Sequence, residues 1–182
     1  MPKKIKNSIK EFEVFKILLL GDVRVGKNTL LSHCDNIFTS DYKTTIGVQF
    51  GSKTLEIENT GAKLVIFQLE PHSEYASYRH LYFKDAEGAI LMYDITRQNT
   101  FKILPNWIED VLDLTHVDTK IAIIGNKTKE EKDRAISKEE GEKLLMLHPS
   151  VFLFEEINAK TGENVEKIFV SIAKKLLKER TT

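Results

Sequence analysis

The segment Gly21-Asp22-Val23-Arg24-Val25-Gly26-Lys27-Asn28 constrains this chain more than any other. It follows a stretch over residues 13–20 that ends as a continuous apolar run, and it opens a stretch of helical spacing near 27–36. Strand, glycine loop and helix in that order are the context required by the phosphate-loop pattern G-x-x-x-x-G-K-[ST]. Glycines let the backbone curl until several N–H groups face one anion. The helix start contributes its dipole, and Lys27 contributes a point charge. The loop therefore predicts phosphate binding by Gly21, Arg24, Val25, Gly26, Lys27, Asn28 and Thr29. Its last position departs from the pattern, because Asn28 stands where a hydroxyl would bind magnesium. An amide oxygen can ligate a metal, but the NH2 end of the same group can point the wrong way.

Short apolar runs and longer helical stretches alternate along the rest of the chain. Residues 47–57 and 62–69 read as strands around a turn at Asn59-Thr60-Gly61, and 87–93, 120–125 and 151–155 as three more. Helices are predicted near 27–36, 73–84, 99–114, 137–147 and 163–179. Ser137 lies three residues before Glu140, a capping-box signal. The last helix repeats apolar residues at Val165, Ile168, Phe169, Ile172, Ala173 and Leu176. The alternation predicts an α/β fold, doubly wound, with a mostly parallel six-stranded sheet and helices on both faces. Ligands in such folds sit beyond the C-terminal strand ends. The domain is expected over residues 13–180, after a basic lead-in at 1–12.

Composition narrows the partners. Lys plus Arg and Asp plus Glu are 27 each, so net charge gives no argument for nucleic acid. The one cysteine, Cys34, allows no internal disulfide and fits a reducing, cytoplasmic setting. No run approaches the roughly 18 apolar residues of a membrane span. Neither end of the sequence carries a lipidation signal, so membrane contact is expected only through a partner. Trp107 reads as core, and His33, His80, His116 and His148 lack metal-ligand spacing.

Further motifs, in order, resemble those of Rab-type small GTPases of the Ras superfamily over about residues 14–177. Thr44-Thr45-Ile46-Gly47-Val48-Gln49-Phe50 resembles the Rab switch I signature. Tyr93-Asp94-Ile95-Thr96 resembles the family's motif after its fourth strand, and Asn126-Lys127 the start of its base-binding motif. Asn158-Ala159-Lys160-Thr161-Gly162-Glu163-Asn164 resembles its alanine-lysine loop. The resemblance implies a phosphate-loop NTPase G domain that binds GTP or GDP with magnesium. It implies that Thr45 senses the γ-phosphate through magnesium, with Asn28 as the other metal position. It implies base binding by Phe38, Asn126, Lys127, Ala159 and Lys160. It also implies an effector-docking aromatic surface at Phe50, Phe67 and Tyr82.

Several positions depart from the family's pattern. Its switch II motif Asp-x-x-Gly-Gln reads here as Gln68-Leu69-Glu70-Pro71-His72. Gln68 removes the carboxylate that anchors magnesium's water shell, and Pro71 has no N–H for the γ-phosphate. His72 replaces the glutamine that orients the attacking water; it reads either as a surface histidine or as a water-positioning base. Val23 and Arg24 crowd the reacting phosphate, or Arg24 lends it a charge. Lys129 stands where the family's aspartate accepts two hydrogen bonds from guanine, and lysine has donors only. Losing two such bonds weakens guanine binding by roughly 3–6 kcal/mol, unless Glu130 swings in. These changes predict weak or absent GTP binding and hydrolysis, no catalytic residue, and action through protein effectors or complex subunits. The competing expectation is a working GTP/GDP switch with unusual motifs.

Overall fold

The computed structural model describes residues 12–38, 48–71, 79–115, 118–128 and 131–181. Thr45, His72, Lys129, Glu130 and the lead-in before Phe12 lie outside the described residues.

The elements in chain order are β1 (Phe12–Gly21), α1 (Lys27–Leu31), β2 (Asn36–Phe38), β3 (Val48–Ile57), β4 (Thr60–Leu69), α2 (Arg79–Phe83), β5 (Gly88–Asp94), α3 (Gln98–Lys102), α4 (Leu104–Leu114), β6 (Lys120–Asn126), α5 (Lys138–Leu147), β7 (Val151–Ile157) and α6 (Val165–Arg180). One sheet orders them β2-β3-β4-β1-β5-β6-β7. The β1–β4, β1–β5, β5–β6 and β6–β7 pairs are parallel, and β2–β3 and β3–β4 are antiparallel. The apolar runs in β1 and β5 are buried because helices cover both sheet faces. One core cluster joins α1 and α6 to the sheet through Leu30, Leu31, Ile168 and Phe169. The other joins α2, α4 and α5 through Phe83, Trp107, Ile108 and Leu144. No helix among the described residues is long and apolar enough to cross a membrane.

The α/β class, the parallel sheet and the covered core match the sequence expectation, but the sheet has seven strands rather than six. The added strand, β2, begins at Asn36, where the first helix was expected to end. That helix stops at Leu31 because the chain tightens: His33 and Cys34 N–H groups bond back three residues to Leu30 and Leu31. Asp35 N–H then reaches the Ser52 carbonyl and starts the pairing with β3. The β3–β4 turn is also displaced. Glu58 and Asn59, both left-handed, form the two-residue loop, while Thr60 and Gly61 belong to β4. The helix predicted over 99–114 is two helices meeting at Ile103. Pro105 cannot donate an N–H and its ring would clash with the carbonyl four residues back, so it sits in the first turn of a new helix. The capping box is present: Glu140 N–H donates to Ser137 Oγ at 3.2 Å, and Ser137 N–H to Glu140 Oε2 at 2.8 Å.

Tyr93 is fully buried in β5, with its ring edge-on to Phe101 at 4.9 Å. Its hydroxyl has no hydrogen-bond partner among the described residues. Burial raises the pKa of this phenol, and the neighbouring Glu156 charge adds to the rise. Leaving a buried hydroxyl unpaired costs about 1–3 kcal/mol. Tyr93→Phe is therefore expected to raise the urea midpoint by an amount equivalent to about 1 kcal/mol, with an unchanged slope. A lower midpoint would show that the hydroxyl is paired in solution.

Candidate functional site at the strand ends

The loops after β1, β4, β6 and β7 all leave the same edge of the sheet. Parallel pairing of β1, β4, β5, β6 and β7 makes this inevitable, since parallel neighbours end together. A cavity of about 860 Å³ opens there. Its walls run from Asn158, Ala159 and Lys160, past Asn126 to Thr128 and Gly26 to Thr29, to Glu70. That volume lies within the roughly 300–1,000 Å³ range of small-molecule sites.

The phosphate-loop backbone is fixed by two tight approaches. Gly21 has φ +142°, and a Cβ there would stand 2.3 Å from the Met92 carbonyl oxygen. Gly26 has φ +105°, and its Cβ would meet Asn126 Nδ2 at 2.1 Å. No side chain fits at either position. Arg24 is also left-handed, at φ 59°, a conformation that costs a residue with a Cβ about 1–2 kcal/mol. Val23 and Arg24 are exposed and line the cavity, whereas Val25 is buried in the core.

Lys27 is only 4% exposed. Its Nζ donates to the Gly21 carbonyl at 2.9 Å and the Asp22 carbonyl at 2.8 Å. Glu70 Oε2 lies 3.7 Å from the same nitrogen. Burial lowers the Lys27 pKa, and the Glu70 carboxylate offsets part of that loss.

At the position implied for magnesium, side-chain amides meet each other. Gln68 is fully buried, and its Nε2 donates to Asn28 Oδ1 and to Glu70 Oε1, the latter at 3.1 Å. The carboxylate fixes the orientation of this amide: turning it over would set an oxygen against Glu70. Gln68 Oε1 has no partner among the described residues.

Asn126 joins the two halves of the site. Its Nδ2 donates to the Val25 carbonyl at 2.8 Å, and its Oδ1 accepts the Ala159 N–H at 3.0 Å. Both ends of the amide are thus engaged within the protein. The Ala159 carbonyl in turn lies 2.7 Å from His33 Nε2, which donates to it in the matching tautomer. Lys127 Nζ pairs with Glu163 Oε1 at 2.9 Å. Lys160 and Thr161 N–H groups turn inward onto Asn158 Oδ1, at 3.0 and 3.1 Å. Phe38 takes its place in β2 as the register partner of Phe50.

Asp94, 3% exposed, anchors the loop after β5. Burial opposes its charge, but hydrogen bonds from Thr96, Thr128 and Arg97 outweigh it and hold the carboxyl below its ordinary pKa. Arg97 donates through Nε to Asp94 Oδ2 at 3.0 Å and through its second arm to the Val23 carbonyl at 2.9 Å. The phosphate loop is therefore held from behind by a charged pair.

Phe50 and Phe67 face each other across β3 and β4 with ring centroids 4.9 Å apart, edge to face. Both, with Tyr82, are half-buried over the core. Lys16 Nζ lies 5.0 Å from the Phe67 ring centre.

Glu70, Arg97, His33 and Glu163 were not singled out as site residues from sequence. The motif that contains Glu70 was visible, but its contact with Lys27 depends on β1 and β4 lying side by side.

Two substitutions test the scaffold. Asn126→Ala removes two buried hydrogen bonds worth about 0.5–1.5 kcal/mol each, and is expected to destabilise nucleotide-free protein by roughly 1–3 kcal/mol in urea. No change would mean that Asn126 acts on a ligand alone. Asp94→Asn is expected to cost roughly 1.5–3 kcal/mol at neutral pH. Because the folded pKa lies below the unfolded value of 3.8, this contribution is full above that value and is lost as pH falls through the folded pKa. The gap between Asp94→Asn and the parent protein should therefore shrink in acid. A gap independent of pH would refute the assignment.

A family model described as the Ras family matches residues 16–178, from within β1 to within α6. It spans the phosphate loop, the Asn126 clamp and the Ala159 loop together, and the chain belongs to the Ras family of small GTPases.

Proposed function

We propose that this Ras-family chain is a Rab-like protein-interaction module in which GTP binding and hydrolysis are weakened or lost. The observation that carries the reading is the contact between the Gln68 amide and Asn28 Oδ1. Magnesium takes hard oxygen ligands in near-octahedral geometry. Here the Asn28 oxygen already accepts a hydrogen bond, and the Gln68 atom facing it is an NH2 donor. The Glu70 carboxylate beside them is shared between Gln68 and Lys27. The donor set does not fit the ion.

Other residues point the same way. The Ala159 N–H, which the family resemblance assigns to guanine, is committed to Asn126. Lys129, from its chemistry, cannot accept from the guanine edge. Pro71 offers the terminal phosphate no N–H. What remains for function is the half-buried aromatic surface of Phe50, Phe67 and Tyr82. Aromatic residues of this kind serve as interface anchors. A protein effector or complex subunit is the partner we assign to it.

The first test is to purify the protein without added nucleotide, denature it, and identify released nucleotide by chromatography and mass spectrometry. The expected result is far less than one nucleotide per chain. Near-stoichiometric GDP or GTP would overturn the reading in favour of a working switch. A second test restores the metal donors with Asn28→Ser and Gln68→Asp together. Magnesium is expected to raise GTP affinity about tenfold or more in that variant and to have little effect on the parent. Equal magnesium dependence in both would sink the argument from the amide pair.

A further inference from the structure

Glu70 occupies a position that the switch II pattern leaves unspecified, and its carboxylate lies beside the phosphate-loop lysine. An ammonium has three N–H donors. Two of those on Lys27 are spent on the Gly21 and Asp22 carbonyls. The third is the one left for an anion, and Glu70 Oε2 lies 3.7 Å from the nitrogen.

Sheet order gives the direction of a bound ligand. The Ala159 loop follows β7 and the Asn126 loop follows β6, whereas Glu70 follows β4 on the far side of β1. A nucleotide seated with its base at the β6–β7 end extends its phosphates past Gly26 and Lys27 toward β4. In that orientation, which the family resemblance implies, each added phosphate would lie closer to Glu70. Gln68 holds that carboxylate from one side at 3.1 Å, and the next residue, Pro71, restricts the backbone.

We propose that Glu70 makes this a site for nucleoside diphosphates that rejects triphosphates, by holding a carboxylate against Lys27 where the third phosphate must go. This inference rests on the reading above that no magnesium bridges the site, and the diphosphate binding it assigns is too weak to survive purification. Without a cation between them, the phosphate and the carboxylate repel across a half-enclosed space, and the phosphate must displace Glu70 from Lys27 to bind. Glu70 is 38% exposed at its side chain, so displacement is sterically open but leaves Gln68 without its carboxylate acceptor.

The test is calorimetric titration of the nucleotide-stripped full-length protein in EDTA. The probes are GDP and a non-hydrolysable imido analogue of GTP. Parent, Glu70→Gln and Glu70→Ala proteins are compared, with thermal melts confirming that each is folded. The parent is expected to favour GDP by about tenfold or more. Both variants are expected to close most of that gap by gaining more triphosphate affinity than diphosphate affinity. Equal affinities in the parent, parallel changes for both ligands in the variants, or no binding of either ligand to any of the three would overturn it. Repeating the titration with magnesium separates the two proposals. A large magnesium gain for the triphosphate in the parent would sink the metal-free reading, while the GDP preference in EDTA would stand.

Discussion

Everything at the site depends on β1 being paired in parallel on both sides, with β4 on one flank and β5 on the other. Parallel neighbours end together, so the loops after β1, β4 and β5 meet at one edge without any contact of their own. The cost is that the strand must be apolar on both faces, which explains the unbroken buried run from Ile17 to Leu20. Residues from distant parts of the chain then become neighbours: Asn28 with Gln68, Lys27 with Glu70, Arg97 with Val23. These contacts exist because the strand ends coincide.

At that edge the protein satisfies itself. Lys27 faces carbonyls and a carboxylate, Asn28 faces an amide, and Asn126 bridges two loops. Burying Lys27 and Asn126 unpaired would be expensive, and each has a partner from the chain; Gln68 Oε1 is the exception among the described residues. The residues that keep the loop in shape and the residues that would read a ligand are partly the same, and here the first duty uses donors and acceptors that the second requires.

Much of the architecture was legible in the sequence because it is written locally. The glycine loop after an apolar run, the Ser137–Glu140 box and the amphipathic last helix each need only a few consecutive residues to be recognised, and each is present. The misses are places where tertiary pairing decides. β2 exists because β3 offers it an edge, which three residues of ordinary polarity do not announce. The break before Pro105 was signalled by the proline itself but overridden by the apolar periodicity around it. In the site, the departures at Asn28 and Gln68 were visible one by one. That they would bond to each other, and that Glu70 would turn back onto Lys27, required the spatial order of the strands.

The Asn126 clamp also sets a limit on when the site can come into being. Its donor arm closes on Val25, near the start of the chain, and its acceptor arm waits for the N–H of Ala159, near the end. During synthesis the phosphate loop leaves the ribosome early, yet it can be locked from both sides only after the last strand and the loop beyond it have emerged. Until then that loop is held by strand pairing, by Lys27 on the Gly21 and Asp22 carbonyls and by Arg97 on Val23, and the Asn126 clamp is the last of these contacts to close.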